Sequence, residues 1–255
     1  MSQHQLTRHY DTKYAADATS EAPVPLSLDQ PLPRDRFAAA VAELPRRLPK
    51  GADVLELGAG NGLIAQSLLA GGVPFGSYTL GDLSEARMAG LWRNFTDPRF
   101  RFAQTDAERP SATVQGPFDA VLMVALIEHL VDPLRAMIDV RSLLKPGGFV
   151  YVDTPNIAKW TRRVKLALGR FPSTASDNEG LTTYAGREVD LHDEGHLHYF
   201  TYRSLELMLT GRCGFSRVER TGYFIGPRPI DARVGTRLAR RYPTVFSEIA
   251  CFAYA

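Results

Sequence analysis

The stretch Asp53-Val54-Leu55-Glu56-Leu57-Gly58-Ala59-Gly60-Asn61-Gly62 decides the fold of this chain. Its apolar half suits a parallel strand covered on both faces. Three glycines then stand at every second position, where they let the backbone turn sharply and lie close to a ligand. A helix-forming run opens at Leu63-Ile64-Ala65, and the free N–H groups of its first turn would point at the same place. The loop is of the nucleotide-binding type, yet it is not the dinucleotide one. That fingerprint needs Gly-x-Gly-x-x-Gly, and the third glycine position is Leu63. The pattern present is Glu-x-Gly-x-Gly-x-Gly.

Outward from this loop, apolar strands alternate with amphipathic helices. Strands are expected at 54–57, 77–81, 100–104, 118–124 and 149–153, with helices at about 36–48 (capped by Asp35), 63–69, 85–94 and 133–144. Such alternation predicts a doubly wound parallel sheet, whose right-handed crossovers put all strand carboxyl ends on one edge. Beyond Pro155 the pattern changes to a basic helix at 157–168, a polar loop, a His-rich run around His196 and a helix near 203–210. Two last strands are expected at 215–222 and 247–253. The segment 156–200 is too long for a plain connection and is expected to cover the active site. The chain therefore reads as one domain over 1–255: an arm at 1–34, rich in proline after its polar start, a cofactor-binding core at 35–155, a cap at 156–200 and a sheet edge at 201–255.

Bulk composition fits one α/β unit. Of 255 residues 44% are apolar, and 30 basic against 28 acidic residues leave a net charge of +2. That balance gives no electrostatic case for nucleic acid. The clusters Arg162, Arg163, Lys165, Arg170 and Arg237, Arg240, Arg241 read as solvated helix faces, with an anionic-substrate or membrane patch as the alternative. Cys213 and Cys251 lie far apart and read as reduced core thiols. Residues 1–22 are polar and no segment is long and apolar enough to cross a bilayer. No signal peptide and no transmembrane segment are expected, and the expected location is cytoplasmic.

Four more signals sit along the same sheet edge. Asp82, in Leu80-Gly81-Asp82-Leu83-Ser84, stands at the end of the second strand, where a carboxylate accepts from both hydroxyls of a ribose. Ser84 would cap the next helix. Asp106-Ala107 follows the third strand. Phe118-Asp119-Ala120-Val121-Leu122-Met123-Val124 runs into Ala125-Leu126-Ile127-Glu128-His129, with Asp119 a structural acid at the strand start. Leu144-Lys145-Pro146-Gly147-Gly148-Phe149 is a helix stop and turn. Each alone has a bland reading as a cap or a turn; the ordered set is specific.

Over about residues 50–156 the set resembles class I S-adenosylmethionine-dependent methyltransferases. The resemblance implies a Rossmann-like, doubly wound seven-stranded sheet whose last strand is antiparallel, with a cap insertion between the fifth and sixth strands. It implies S-adenosyl-L-methionine as cofactor. Glu56 would lie near the methionine amino group or the loop itself, and Gly58, Ala59 and Gly60 under the methionine part. Asp82 and Leu83 belong to the ribose end, Asp106 and Ala107 to adenine, and Val124 to the end of the fourth strand beside the sulfur.

Methyl transfer is an in-line displacement that loses the sulfonium charge, so it favours a dry pocket and an aligned acceptor. An oxygen acceptor must also lose a proton, and histidine is the natural base near neutral pH. His129 follows the fourth strand and is the first base expected, with a scaffold contact as its other reading. His196 and His198 are the second. They lie in Asp193-Glu194-Gly195-His196-Leu197-His198-Tyr199-Phe200-Thr201, where strand alternation would place both on one face, and a loop clamp is their other reading. His192, His196, His198, Asp193 and Glu194 form a ligand set by residue type. In some quinone-biosynthesis O-methyltransferases Glu-x-x-Glu-His holds a divalent metal, but Ala125 stands at its first position here, and no metal is assigned.

The stretches Asp153-Thr154-Pro155-Asn156, Gly169-Arg170-Phe171-Pro172 and His196-Leu197-His198-Tyr199-Phe200-Thr201 resemble bacterial methyltransferases of surface-glycan and secondary biosynthesis. Tyr10-Asp11-Thr12-Lys13-Tyr14 is similar to their N-terminal arm. This implies a sugar or glycan hydroxyl as acceptor, substrate contacts from Tyr10, Tyr14, Asn156 and Tyr199, and association with glycan-assembly enzymes. A lipid, quinone or specialised small molecule is the alternative acceptor, and a non-catalytic cofactor-binding module the alternative from another class.

Overall fold

The computed structural model describes residues 8, 11, 12, 14–174, 196–225 and 231–255. Seven strands form one sheet: β1 Asp53–Leu57, β2 Ser77–Asp82, β3 Phe100–Gln104, β4 Phe118–Val124, β5 Leu144–Thr154, β6 Arg217–Thr221 and β7 Ile249–Tyr254. Their order is β3-β2-β1-β4-β5-β7-β6. The first five are parallel, and β7 runs antiparallel to both β5 and β6. This is the expected Rossmann-like sheet with its antiparallel last strand. The order reverses between β1 and β4, which opens a crevice at their carboxyl ends.

Strand alternation divides the core between the two faces of the sheet. Val54, Leu80, Leu122 and Tyr151 pack on one face with Ala40, Val41, Ile64 and Leu68. Leu55, Leu57, Val121 and Val150 pack on the other with Met137, Val140, Leu205 and Leu209. The helices that cover these faces are α1 Arg36–Glu43, α2 Leu63–Ala70, α3 Glu85–Asn94, α4 Pro133–Ser142, α5 Trp160–Ala167, α6 Tyr202–Gly211 and α7 Ala232–Arg241. Asp35, Ser84 and Asp132 each accept the N–H three residues on, so α1, α3 and α4 begin at side-chain caps.

Several boundaries differ from the sequence expectation. Helix α1 stops at Glu43 and tightens into a 3-10 turn, Leu44–Arg46, because Pro45 carries no N–H to continue it. Strand β5 begins at Leu144, ahead of the Gly147-Gly148 turn. Strand β6 is shorter than 215–222: Phe215 turns into the core, and a Cβ at Gly222 would meet the Ala239 carbonyl at 2.2 Å. Residues 196–199 form no strand; Phe200 alone bridges Asn156. Asp119 is structural as expected, accepting from the Asp53 N–H (2.8 Å) and from Lys145 Nζ (2.7 Å). Both cysteines are buried free thiols.

The expected solvated basic face at 162–170 holds for Arg163 and Arg170, which are exposed, and is corrected for the other two. Arg162 and Lys165 are buried, as is Lys159 just before the helix. Glu248 meets Lys159 Nζ at 2.6 Å and Arg162 Nη1 at 2.7 Å, and also accepts from the Asn156 N–H. Arg162 reaches on to the carbonyls of Asn156 and Ser173. Lys159 and Arg162 are inside with the Glu248 carboxylate, just before β7, shared between them, which ties α5 to the end of the sheet. No described helix is long and apolar enough to cross a membrane.

Candidate active site

The glycine loop after β1 is held open by its own backbone. Gly58, Gly60 and Gly62 all have positive φ (67°, 57° and 79°), a region costly to side-chain-bearing residues. A Cβ at Gly62 would strike the Phe95 ring at 2.4 Å, whereas one at Gly60 would meet nothing nearer than 3.9 Å. Gly60 therefore borders space, and Gly62 packs the loop down. The loop is tied to β2 on both sides: Ala59 N–H donates to the Gly81 carbonyl (3.0 Å) and Gly60 N–H to Asp82 Oδ2 (3.0 Å).

Asp82 is buried and accepts at Oδ1 from the Ser84 N–H (3.0 Å). Burial raises its pKa, against the pull of Arg87, whose Nη1 lies 3.7 Å from Oδ2. Glu56 is buried one layer below, accepting from the Tyr78 hydroxyl at 2.6 Å. Desolvation pushes its carboxyl up to about 8, with the nearby Asp82 charge adding to the rise. Asp106 is half-buried and accepts the Glu108 N–H (2.9 Å), a local turn that leaves Ala107 and Leu83 half-buried at the same edge. Val124 ends β4.

Sequence reasoning gave the arm a place over the cofactor and missed how it is fastened. Asp11 accepts from Ser84 Oγ (2.9 Å) and the Glu85 N–H (2.7 Å) at the start of α3. The Tyr14 ring lies 3.4 Å beneath the Arg87 guanidinium, which also pairs with Asp17 (3.1 Å). Arg87 thus joins the arm to Asp82. Tyr10 lies outside the described residues.

The turn after β4 carries the reactive groups. Ala125 has φ of 51°, a strained conformation for alanine and one that clusters at functional sites. It turns the chain so that Leu126 lies over Gly58 and Ile127–His129 closes as a 3-10 turn. Leu197 and His198 donate their N–H groups to the Glu128 carbonyl (2.8 and 3.1 Å). This clamp brings the His196 ring against His129, edge to face, with centroids 4.8 Å apart. His196 Nδ1 lies 2.6 Å from Thr174 Oγ1. His198 turns away, its Nε2 3.2 Å from the Val131 carbonyl. The two expected bases are thus one pair, His129 with His196, and His198 fits the clamp reading. Asp193, Glu194 and His192 lie outside the described residues.

Glu128 and Arg36 were not singled out from sequence. Glu128 accepts from Thr154 Oγ1 (2.9 Å), and its other oxygen, Oε1, has no hydrogen-bond donor. The same holds for Asp153 Oδ1, while Oδ2 accepts from the Tyr223 hydroxyl (2.7 Å). Both orphan oxygens lie 3.9 Å from the Arg36 guanidinium. Desolvation lifts both carboxyls to about 7 although Arg36 pulls them down. Glu128, His129 and His196 also offer ligand atoms within 4.8 Å of one another, a set able to hold a divalent ion. The signal for Glu128 was its place beside His129; nothing in the spacing pointed to Arg36.

Of the other expected substrate contacts, Asn156 is fully buried and spent on the scaffold: its Nδ2 donates to the carbonyls of Thr244 and Ser247, and its Oδ1 accepts from Ala158. Its neighbours leave no donor for a substrate. Tyr199 is exposed and meets Phe171 edge-on at 6.3 Å. Leu166, Leu168 and Leu197 are each more than half exposed.

Comparison with known proteins agrees with this geometry. The family model described as "Methyltransferase domain" matches residues 32–219. A ubiquinone biosynthesis O-methyltransferase of Xanthomonas campestris is 34% identical over 134 residues, 52% of each chain. The enzyme of the same name from Vibrio parahaemolyticus is 32% identical over 108 residues, covering 42% of this chain and 45% of that one. The chain thus spans about half the length of these curated relatives. The crystal structure of an S-adenosylmethionine dependent methyltransferase from Mesorhizobium loti superposes with a TM-score of 0.56 at 19% identity, covering 86% of this chain and 98% of that one, a likeness of fold.

Proposed function

The chain belongs to the methyltransferase-domain family, and we propose that it transfers the methyl group of S-adenosylmethionine to a hydroxyl of a small molecule with an apolar body. The observation that carries this reading is the His129–His196 pair, set just after β4, with exposed apolar Leu197 and Tyr199 next to His196 along the chain. A phenol or reduced quinone has the matching form: one ionisable hydroxyl on an apolar frame. The names of the relatives support this acceptor over the sugar hydroxyl that the cap and arm stretches imply. Their coverage of half a chain makes the substrate a matter for experiment.

Bound S-adenosylmethionine supplies the electrophilic methyl and loses positive charge as it reacts. The chain's part is to hold, align and deprotonate. Asp82 accepts from the ribose hydroxyls, fixed by the Gly60 and Ser84 N–H groups. Gly58, Ala59 and Gly60 lie along the methionine part, with Glu56 beneath them, and Asp106 and Ala107 take the adenine edge. The open side of Gly60 and its positive φ fit such a close approach. Leu83 and Val124 close the apolar sides. On the acceptor side, His196 Nδ1 lies 2.6 Å from Thr174 Oγ1; in the tautomer whose Nδ1–H donates to that hydroxyl, Nε2 is the basic atom of the ring. The hydroxyl proton passes to this pair as the oxygen attacks.

The test is an acceptor panel. Purified protein with S-adenosylmethionine is offered alkyl catechols, hydroquinones and free or nucleotide-linked sugars, and S-adenosylhomocysteine release is measured. Turnover on the phenols and none on the sugars is expected. Sugar turnover with inert phenols contradicts the acceptor class, and cofactor binding without turnover on any acceptor favours a binding module.

A further inference from the structure

The arginines of α7 are exposed, but their arrangement is not that of an ordinary solvated face. Asp231 caps the helix through the Arg233 and Val234 N–H groups. Gly235, Thr236 and Ala239 form its buried side. A Cβ at Gly235 would stand 2.3 Å from the Phe224 ring, so the helix is seated tightly and cannot roll. Arg233, Arg237, Arg240 and Arg241 then fall on one side at spacings of three, four and seven or eight. They line a single cleft of about 450 Å³ opposite Pro31 and Leu32.

Among the described residues, no carboxylate lines this cleft and none forms an ion pair with these four arginines. Arginines elsewhere on the surface do find acids: Arg46 and Arg47 pair with Glu43, and Arg220 with Glu206. Like charges four apart on a helix repel, and against that repulsion stand the Tyr242 ring, 5.1 Å from the Arg241 guanidinium, and the helix C-terminus beside Arg240 and Arg241. Guanidinium forks are built for phosphate oxygens, which they bind by paired, charge-assisted hydrogen bonds. The volume is that of a small-ligand site.

We propose that the cleft between α7 and the 31–32 segment is an anion site for a phosphate or diphosphate group. The source is either a free phosphorylated molecule or the headgroup of an anionic lipid. Along the chain, both walls adjoin the segments that carry Arg36 and Tyr223. Leu32 is followed by α1 and Arg36, and α7 follows the segment of Tyr223, which donates to Asp153. A ligand held here would be anchored at a distance from the reacting hydroxyl. The site does not depend on the nature of the methyl acceptor.

The test uses inorganic pyrophosphate in calorimetry at low salt, and co-sedimentation with phosphatidylglycerol or phosphatidylcholine vesicles. The wild type is compared with an Arg237→Ala/Arg241→Ala double variant and with Arg46→Ala, a control arginine that does not line the cleft and pairs with Glu43. Saturable pyrophosphate binding, weakened about tenfold or more only in the double variant, assigns the site to a free phosphate. Selective sedimentation with phosphatidylglycerol, lost only in the double variant, assigns it to a lipid headgroup. Failure of the wild type to bind either probe, or equal binding by the double variant, overturns the proposal. Because the readouts are binding alone, a failed acceptor assay leaves them unaffected.

Discussion

His129 and His196 stand edge to face, 4.8 Å between ring centroids, although they belong to different parts of the fold. One ends the turn after β4; the other lies in the cap segment that the Glu128 carbonyl holds through the Leu197 and His198 N–H groups. The contact between the two rings therefore exists only when the cap is clamped to the sheet edge. That dependence links stability of the cap to turnover, and the predictions follow from its supports.

The first support is Glu248. It is the shared carboxylate of buried Lys159 and Arg162. Glu248→Gln removes the carboxylate charge shared by two buried cations, and a loss of about 3–5 kcal/mol is expected. Urea unfolding measures it. Turnover should fall with the cap while the β1 loop still binds cofactor; a stability change under about 1 kcal/mol would mean that the cations find other partners.

Arg36 serves two orphan carboxylate oxygens, on Glu128 and Asp153. Both carboxyls have pKa values raised to about 7, so they are largely neutral at pH 6 and charged at pH 8.5. The cation is needed only when they are charged. Arg36→Met should cost about 1–3 kcal/mol at the higher pH and much less at the lower. Unfolding curves at the two pH values decide it, and an equal loss at both would separate Arg36 from these carboxyls.

Glu56 gives a pH dependence of its own. Its folded pKa, about 8, lies above the ordinary carboxylate range. The folded chain therefore holds a proton that the unfolded chain has released. The stabilising contribution is complete below the unfolded pKa and is lost as pH rises through about 8. Glu56→Gln, which cannot ionise, should flatten the fall in Tm between pH 5 and pH 9. Parallel Tm profiles for variant and wild type would refute the assignment.

Two glycines of one loop should respond differently to alanine. At Gly60 only the positive φ opposes a side chain, and about 1–2 kcal/mol is expected. At Gly62 the same conformation is joined by a 2.4 Å collision with Phe95, so Gly62→Ala should be the more destabilising. Because Gly60 borders the cofactor space, Gly60→Ala should be the more damaging to cofactor affinity relative to its stability cost. Thermal unfolding and calorimetry on the same samples would reveal whether the two rankings cross.

Most of the sheet was legible because buried parallel strands announce themselves as short apolar runs, and because each is followed by a glycine or an acid with a local job. Asp35, Ser84 and Asp119 act within a few residues or across neighbouring strands, and their roles read correctly. The charged interior did not. Arg162 looks like part of a solvated basic helix face until Glu248, far along the chain, is brought beneath it. Asn156 looked like a substrate contact because its bonds to Thr244 and Ser247 are equally remote. The histidines were visible as residue types, but only the fold selects His129 with His196 and turns His198 to the Val131 carbonyl.

The most direct test divides cofactor binding from proton transfer in one variant. His196→Asn keeps a polar side chain beside Thr174 but removes the base. S-adenosylmethionine affinity is measured by calorimetry and single-turnover methyl transfer to an alkyl catechol by product analysis. The account predicts an affinity within about twofold of wild type and a transfer rate lower by about a hundredfold or more, with the loss smaller on a more acidic phenol. An unchanged rate, or a loss of affinity that accounts for the whole defect, would contradict a His129–His196 base.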